Sequence, residues 1–270
     1  MKNNAEQPIG IFDSGIGGLT VASAVQRALP LENLIYFGDT AHFPYGDKST
    51  AAIQAYAIKI CDVLIRQHCK VILIACNSAS SAAYQLAKEY VGSKAKVMNV
   101  IDPVIAYVSE HHDHKTIGLI GTKKTVNSNV YQRKIDKLGK HITLKSLATP
   151  LLAPLIEEGY FDQKISETII NGYLSDHRFS DIQALILGCT HYPLIKNEIN
   201  KFYEGKVEVI DTSDIFAAYL CDFLTTHHLL RKERKEDNKF FVSDYTHSFA
   251  ESTKMFFKEE VHLEYYPLWD

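Results

Sequence analysis

Short apolar runs recur along the chain, each followed by a polar or glycine-rich turn and then by a helix-like segment. Residues 9–12, 34–37 and 71–74 open the series. Apolar runs of this length, rich in β-branched residues, are typical of strands buried on both faces of a parallel sheet. Residues 53–67 have the amphipathic spacing of a helix. The pattern predicts an α/β fold with mainly parallel sheets flanked by helices.

The same order of runs occurs twice, a little over a hundred residues apart. This agreement predicts two similar α/β units, related by a pseudo-two-fold axis, with a site between them. The matching pairs are residues 9–12 with 117–120, 34–37 with 144–147, and 71–74 with 184–187.

Both copies of the third run end in a cysteine. Asn77, Ser78 and Ser80 follow Cys76 and are good N-cap residues for the next helix. Ligands of open α/β sheets bind at the carboxyl ends of the strands, and helix N-termini stabilise a thiolate. Since Cys189 has equally polar neighbours, we interpret both cysteines as reactive groups of one site rather than as core thiols.

Other motifs favour structural roles. The glycine-rich turn at residues 13–18 fits neither phosphate-loop spacing, and Asp13 would repel a phosphate. The histidine-rich residues 111–114 and the charged residues 231–237 are predicted to be solvated. Cys61 and Cys69 are predicted to fill the core.

Composition excludes several classes of protein. The 270-residue chain is 46% hydrophobic and 23% charged, with a net charge of −3, which gives no basic face for nucleic acid. No apolar run approaches the ~20 residues of a membrane span, and no apolar signal region is present, so we expect a cytoplasmic protein. Five cysteines without a C-x-x-C pair indicate neither a disulfide framework nor a zinc site, and no metal is predicted.

Two opposed cysteines suit one chemistry better than others. A cysteine hydrolase needs a single cysteine with a histidine base, and a disulfide oxidoreductase typically has its pair in a C-x-x-C motif. Two bases on opposite sides of a stereocentre can remove a proton from one face and return one to the other. The pattern therefore favours racemisation.

Four motifs carry a family resemblance. They are FDSGIGG at residues 12–18, PYG at 44–46, ACNSAS at 75–80 and GCTHYPL at 188–194. In order and spacing they closely resemble those of glutamate racemases, in the aspartate/glutamate racemase superfamily, and residues 154–159 fit as well. The resemblance runs from about Ile9 to the C-terminus.

The resemblance implies a cofactor-independent enzyme that interconverts L- and D-glutamate and supplies D-glutamate for peptidoglycan. It implies two α/β domains that clasp the substrate. Residues 1–99 with 212–270 would form one domain and residues 100–211 the other. A homodimer is expected, since the family is often dimeric.

The resemblance also implies residue roles. Cys76 would be the base acting on D-glutamate and Cys189 the base acting on L-glutamate, assisted by Asp13 and His191 respectively. Two positions depart from the family: Ser78 replaces the usual threonine, and His42 replaces the usual arginine. The residues implied to bind substrate are Asp13, Ser14, Tyr45, Gly46, Asn77, Ser78, Thr190 and His191.

Three alternatives stay open from the sequence. An aspartate racemase would share the chemistry and differ in pocket depth. A non-catalytic two-domain module that binds an anion would use the cysteines only as core residues. A pyridoxal-phosphate racemase would need a Schiff-base lysine, which no spacing marks, so no cofactor is predicted.

Overall fold

Two parallel sheets organise the chain in a computed structural model, which describes residues 4–159, 164–233, 236–246, 253–257 and 261–270. The first sheet has six strands in the order β10-β9-β2-β1-β3-β4. All its pairings are parallel, as the continuous apolar runs predicted. Its strands are β1 (Ile9–Asp13), β2 (Leu34–Gly38), β3 (Val71–Ile74), β4 (Lys96–Asn99), β9 (Lys239–Val242) and β10 (Leu263–Tyr265).

The second sheet repeats the inner part of the first. Its order is β6-β5-β7-β8, again parallel, and it corresponds strand by strand to β2-β1-β3-β4. The predicted α/β class with mainly parallel sheets is confirmed. The division into domains at residues 1–99 with 212–270 and 100–211 stays a prediction. The strands are β5 (Thr116–Gly121), β6 (Thr143–Ala148), β7 (Ala184–Gly188) and β8 (Glu208–Ile210).

Helices connect the strands and cover the sheets. Ser49 caps the second helix by accepting a hydrogen bond from the Ala52 N–H, and Asp211 caps the tenth through the Ser213 N–H. None of the described helices is long and apolar enough to cross a membrane. The helices are α1 (Leu19–Ala28), α2 (Thr50–Arg66), α3 (Asn77–Val91), α4 (Ile101–His111), α5 (Lys123–Asn127), α6 (Val130–Asp136), α7 (Leu152–Glu157), α8 (Lys164–Leu174), α9 (Lys196–Phe202) and α10 (Thr212–Thr226).

The start of α3 corrects a prediction. Cys76 itself is the N-cap, with extended backbone angles, and its Sγ accepts a hydrogen bond from the Ala79 N–H at 3.4 Å. Asn77, Ser78 and Ser80, which were predicted as caps, lie inside the first helical turn. The thiol therefore occupies the helix N-terminus directly, where backbone N–H groups favour negative charge.

Other expectations were wrong in part. The helix expected from the sequence at residues 128–138 is α6, which begins only at Val130 and ends at Asp136, because Asn129 has a left-handed φ of 53°. His112 is buried beside Glu208, and Arg231 is buried with its N–H bonded to Glu32, so neither segment is fully solvated. A helix is also expected from the sequence at residues 248–257; residues 253–257 are helical, and the remainder lies outside the described residues.

The core thiols Cys61 and Cys69 are buried, as predicted, and burial raises the pKa of each to about 12. In the unfolded chain a thiol ionises near pH ~8.5. Between these values the unfolded chain releases protons that the folded chain keeps. The free energy of unfolding is therefore expected to fall by about 1.4 kcal/mol per pH unit for each thiol as the pH rises from about 8.5 towards 12.

Urea unfolding measured between pH 7 and 10.5 checks this expectation. Cys61→Ala and Cys69→Ala should each flatten the decline by one thiol's share, whatever their effect on stability at pH 7. An unchanged slope in both variants would show that these thiols do not govern alkaline stability.

Candidate active site

A cleft of about 320 Å³, partly open to solvent, lies where the ends of β1, β3 and β7 meet the loop after β2. Nine of the ten predicted site residues line it; Asp13 does not. Both Cys76 and Cys189 face this one space, as a duplicated unit with a shared site requires. The nine are Ser14, Tyr45, Gly46, Cys76, Asn77, Ser78, Cys189, Thr190 and His191.

The Cys76 thiol is shielded from water and is 6% exposed as a residue. It donates to Ser14 Oγ at 3.6 Å. Burial, followed by the nearby charge of Asp13, raises its pKa to about 12 and outweighs the hydrogen bonds that Cys76 forms with the Ala79 N–H and with Ser14. The thiol is therefore neutral at neutral pH.

Cys189 has a different partner. His191 Nδ1 lies 3.6 Å from its Sγ, and His191 Nε2 lies 3.2 Å from Glu157 Oε1. Burial alone would lower the pKa of His191, but the hydrogen bonds to Cys189 and Glu157 together raise it well above its usual value. A protonated imidazole here places its positive charge between the Cys189 sulfur and the Glu157 carboxylate.

The position of His191 depends on a glycine. A Cβ added to Gly17 would lie 2.3 Å from His191 Cε1 and 2.8 Å from Thr190 Oγ1. Both distances are below any real carbon contact, so the turn after β1 must be glycine here to let the ring approach. The glycine-rich motif thus makes room for a side chain rather than for a phosphate.

Asp13 lies behind the cleft wall. Its side chain is fully buried and accepts hydrogen bonds from the Gly15 N–H and from Thr190 Oγ1, at 3.2 and 3.3 Å. Burial raises its pKa, although His191 and the backbone groups of Gly18 and Gly15 oppose the shift. The carboxylate can therefore act on Cys76 electrostatically, whereas a direct substrate contact would need a rearrangement.

Asn77 presents an unused donor to the cleft. Its Oδ1 accepts a hydrogen bond from the Tyr131 hydroxyl at 2.8 Å, which fixes the orientation of the amide. Its Nδ2 is buried and has no partner among the described residues. A buried amide N–H without an acceptor is costly, and a bound carboxylate would satisfy it.

The two halves of the site are also joined by hydroxyl groups. Ser78 Oγ lies 2.8 Å from Thr122 Oγ1, which belongs to the turn after β5. Ser78, one of the two positions that depart from the family, therefore makes a hydroxyl contact across the cleft. Apart from His191, no side chain lining the cleft is cationic, so hydroxyls, amides and the N-terminus of α3 are its donors to an anion.

Sequence reasoning missed the roles of three residues. Glu157 lies in the family-like residues 154–159 but has no role among the sequence predictions, yet it contacts His191 across 34 positions of the chain. Thr122 and Tyr131 were passed over because neither is part of a motif around the cysteines. The position of Thr122, mirroring the Asp13 turn in the second unit, is the one sequence feature that marked it.

The chain is similar over most of its length to known racemases. The Asp/Glu/Hydantoin racemase family profile matches residues 19–220. A glutamate racemase of Syntrophus aciditrophicus is 40% identical over 246 residues, 90% of each chain. The glutamate racemase of Francisella tularensis, solved in complex with D-glutamate, is 39% identical with a TM-score of 0.91 and covers 98% of this chain and 99% of its own. Glutamate racemase RacE1 of Bacillus anthracis is 30% identical with a TM-score of 0.92, covering 97% and 98%.

Proposed function

The chain belongs to the Asp/Glu/Hydantoin racemase family, and we propose that it is a glutamate racemase that uses Cys76 and Cys189 as its two proton-transferring groups. The observation that carries the proposal is that two buried thiols in matching positions of the two units line one cleft. Relatives named glutamate racemase, over nearly the whole chain, support glutamate as the substrate. The product D-glutamate would serve peptidoglycan synthesis.

The donors of the cleft suit an amino-dicarboxylate. Asn77 Nδ2 and the first backbone N–H groups of α3 can donate to a carboxylate without placing a cation against the thiols. Ser14, Ser78 and Thr190 add hydroxyl groups on the walls, and Tyr45 and Gly46 close one side. The substrate ammonium is attracted by the buried charge of Asp13 behind the wall.

The two thiols have different surroundings, and these assign the base and the acid in the conversion of L- to D-glutamate. Cys189, beside the protonated His191, acts as thiolate and removes the α-proton of L-glutamate. The neutral Cys76 thiol then donates its proton to the opposite face, which leaves Cys189 as thiol and Cys76 as thiolate. The reverse reaction runs through the same groups with exchanged roles.

The α-proton of an amino acid is much less acidic than a thiol, so a thiolate alone cannot remove it. The cleft supplies two further effects. Both cysteines are under 10% exposed, which excludes water from the reacting atoms. Donors already aimed at the substrate carboxylate stabilise the carbanion without reorganising. Because both proton carriers are side chains, the reaction requires no cofactor.

The activity is tested by following L-glutamate in deuterium oxide with the purified chain, using NMR for the α-position and circular dichroism for the enantiomers. We expect equal amounts of the two enantiomers at equilibrium, with deuterium at the α-carbon. Racemisation of L-aspartate in preference to L-glutamate would show that the proposed substrate is wrong and that the proposed mechanism still holds. Exchange of neither amino acid would favour the anion-binding module and reject the enzyme.

Two expectations from the sequence stay predictions. One is the cytoplasmic location, and the other is a homodimer. Size-exclusion chromatography with light scattering tests the second directly.

A further inference from the structure

A buried carboxylate outside the cleft collects hydrogen bonds from three separate parts of the chain. Asp39 is fully buried at the end of β2. Its Oδ2 accepts from the Tyr45 hydroxyl at 2.6 Å, and its Oδ1 accepts from Ser243 Oγ at 2.8 Å and from Trp269 Nε1 at 2.7 Å. We call Asp39 with these three donors the Asp39 cluster.

Two features give the cluster its significance. Tyr45 belongs to both the cluster and the cleft wall, so its ring position is set from behind by Asp39. Trp269 lies one residue before the end of the chain and is its only tryptophan. A donor from the segment after β10 thus shares a carboxylate with a residue of the site.

The indole of Trp269 is held by its own packing. It lies edge-on to the His42 ring with centroids 4.5 Å apart, and it packs against Tyr56 at 5.3 Å. The Lys59 ammonium lies 4.8 Å from its centre, within the range of a cation–π interaction. His42 also stacks on Tyr56 and has its Nδ1 3.1 Å from Asp39. His42, the position where the family usually has arginine, therefore packs directly against Trp269.

We propose that Trp269 is a positioning residue of the substrate site, which orients Tyr45 and the loop 43–46 through the shared carboxylate of Asp39. The inference rests on the proposed function. A buried carboxylate needs its donors, and removing one of them lets the carboxylate and its remaining partners shift. The loop lines the cleft and carries neither thiol, so its displacement would affect binding rather than proton transfer.

The test is Trp269→Phe, which keeps an aromatic ring and removes only the indole N–H and part of the ring area. We expect KM to rise about tenfold for both enantiomers while kcat stays within about twofold, the pattern of a lost binding contact. The matched control is Tyr265→Phe, which removes the hydrogen bond from Tyr265 to Asp270 in the same tail and leaves Asp39 untouched. It should keep the wild-type KM.

Because Trp269 is the only tryptophan, its fluorescence gives a second readout on the unaltered protein. Titration with L-glutamate is expected to change the emission saturably in wild type, and Tyr45→Phe, which cuts the link to Asp39, should abolish that change. If Trp269 had only a structural role, Trp269→Phe would lower the melting temperature, but the emission of wild type would not respond to glutamate.

The outcomes separate the two proposals. If wild type does not racemise glutamate, the proposed function fails. Suppose that wild type racemises glutamate and that wild type, Trp269→Phe and Tyr265→Phe all have the same KM. The proposed function then stands, and the positioning role of Trp269 is rejected. An emission that does not respond to saturating glutamate in an active wild type rejects the role as well.

Discussion

Cys76→Ser and Cys189→Ser are each expected to lower kcat/KM for racemisation by about 10³- to 10⁴-fold, because a hydroxyl is a far weaker proton carrier than a thiol. The loss must be equal in the two directions, since the enantiomers have the same free energy in water. Initial rates from L- and from D-glutamate, followed by circular dichroism, measure it.

A third cysteine provides the control. Cys221 lies on α10, is partly exposed and does not line the cleft, so Cys221→Ser should racemise at the wild-type rate. If Cys76→Ser or Cys189→Ser also keeps that rate, the two-thiol mechanism is wrong and the cysteines are structural.

The second large effect concerns the partner of Cys189. His191→Asn is expected to lower kcat/KM by about 10²- to 10³-fold, because the cation that stabilises the Cys189 thiolate is lost. Glu157→Gln tests the Cys189–His191 pair by a smaller change, because it keeps His191 and removes only the charge of its other partner. Without the Glu157 carboxylate the pKa of His191 falls, so its protonated form is lost at a lower pH. The alkaline limb of the kcat/KM profile should therefore move to lower pH.

Glu158 offers a matched control for this shift. It is the next residue, is exposed, and is not the glutamate that contacts His191. Glu158→Gln makes the same change of charge one position away and should leave the alkaline limb in place. If Glu157→Gln and wild type have the same pH profile of kcat/KM, Glu157 does not control the protonation of His191.

The fold and most of the cleft were predictable because they depend on patterns local in sequence. Apolar runs identify strands, and the ends of parallel strands converge. That is why Cys76 and Cys189, more than a hundred residues apart, could be expected at one site. The duplicated order of strands reinforced the expectation.

What the sequence did not disclose are pairings between side chains far apart in the chain. The contact of Glu157 with His191 and that of Trp269 with Asp39 depend on how loops and the C-terminal segment pack, which no periodicity encodes. The cap at Cys76 was missed for a local reason. Thiols are weak acceptors, so hydroxyl and amide neighbours rank above cysteine as predicted caps.

The most direct test of the central claim is α-proton exchange of each pure enantiomer in deuterium oxide by the two single variants. Cys189→Ser keeps the base proposed for D-glutamate and should exchange the α-proton of D-glutamate only. Cys76→Ser should exchange that of L-glutamate only, and neither variant should invert its substrate. Exchange of the opposite enantiomer by each variant would reverse the assigned faces. Inversion at the wild-type rate by either variant would contradict the two-base mechanism.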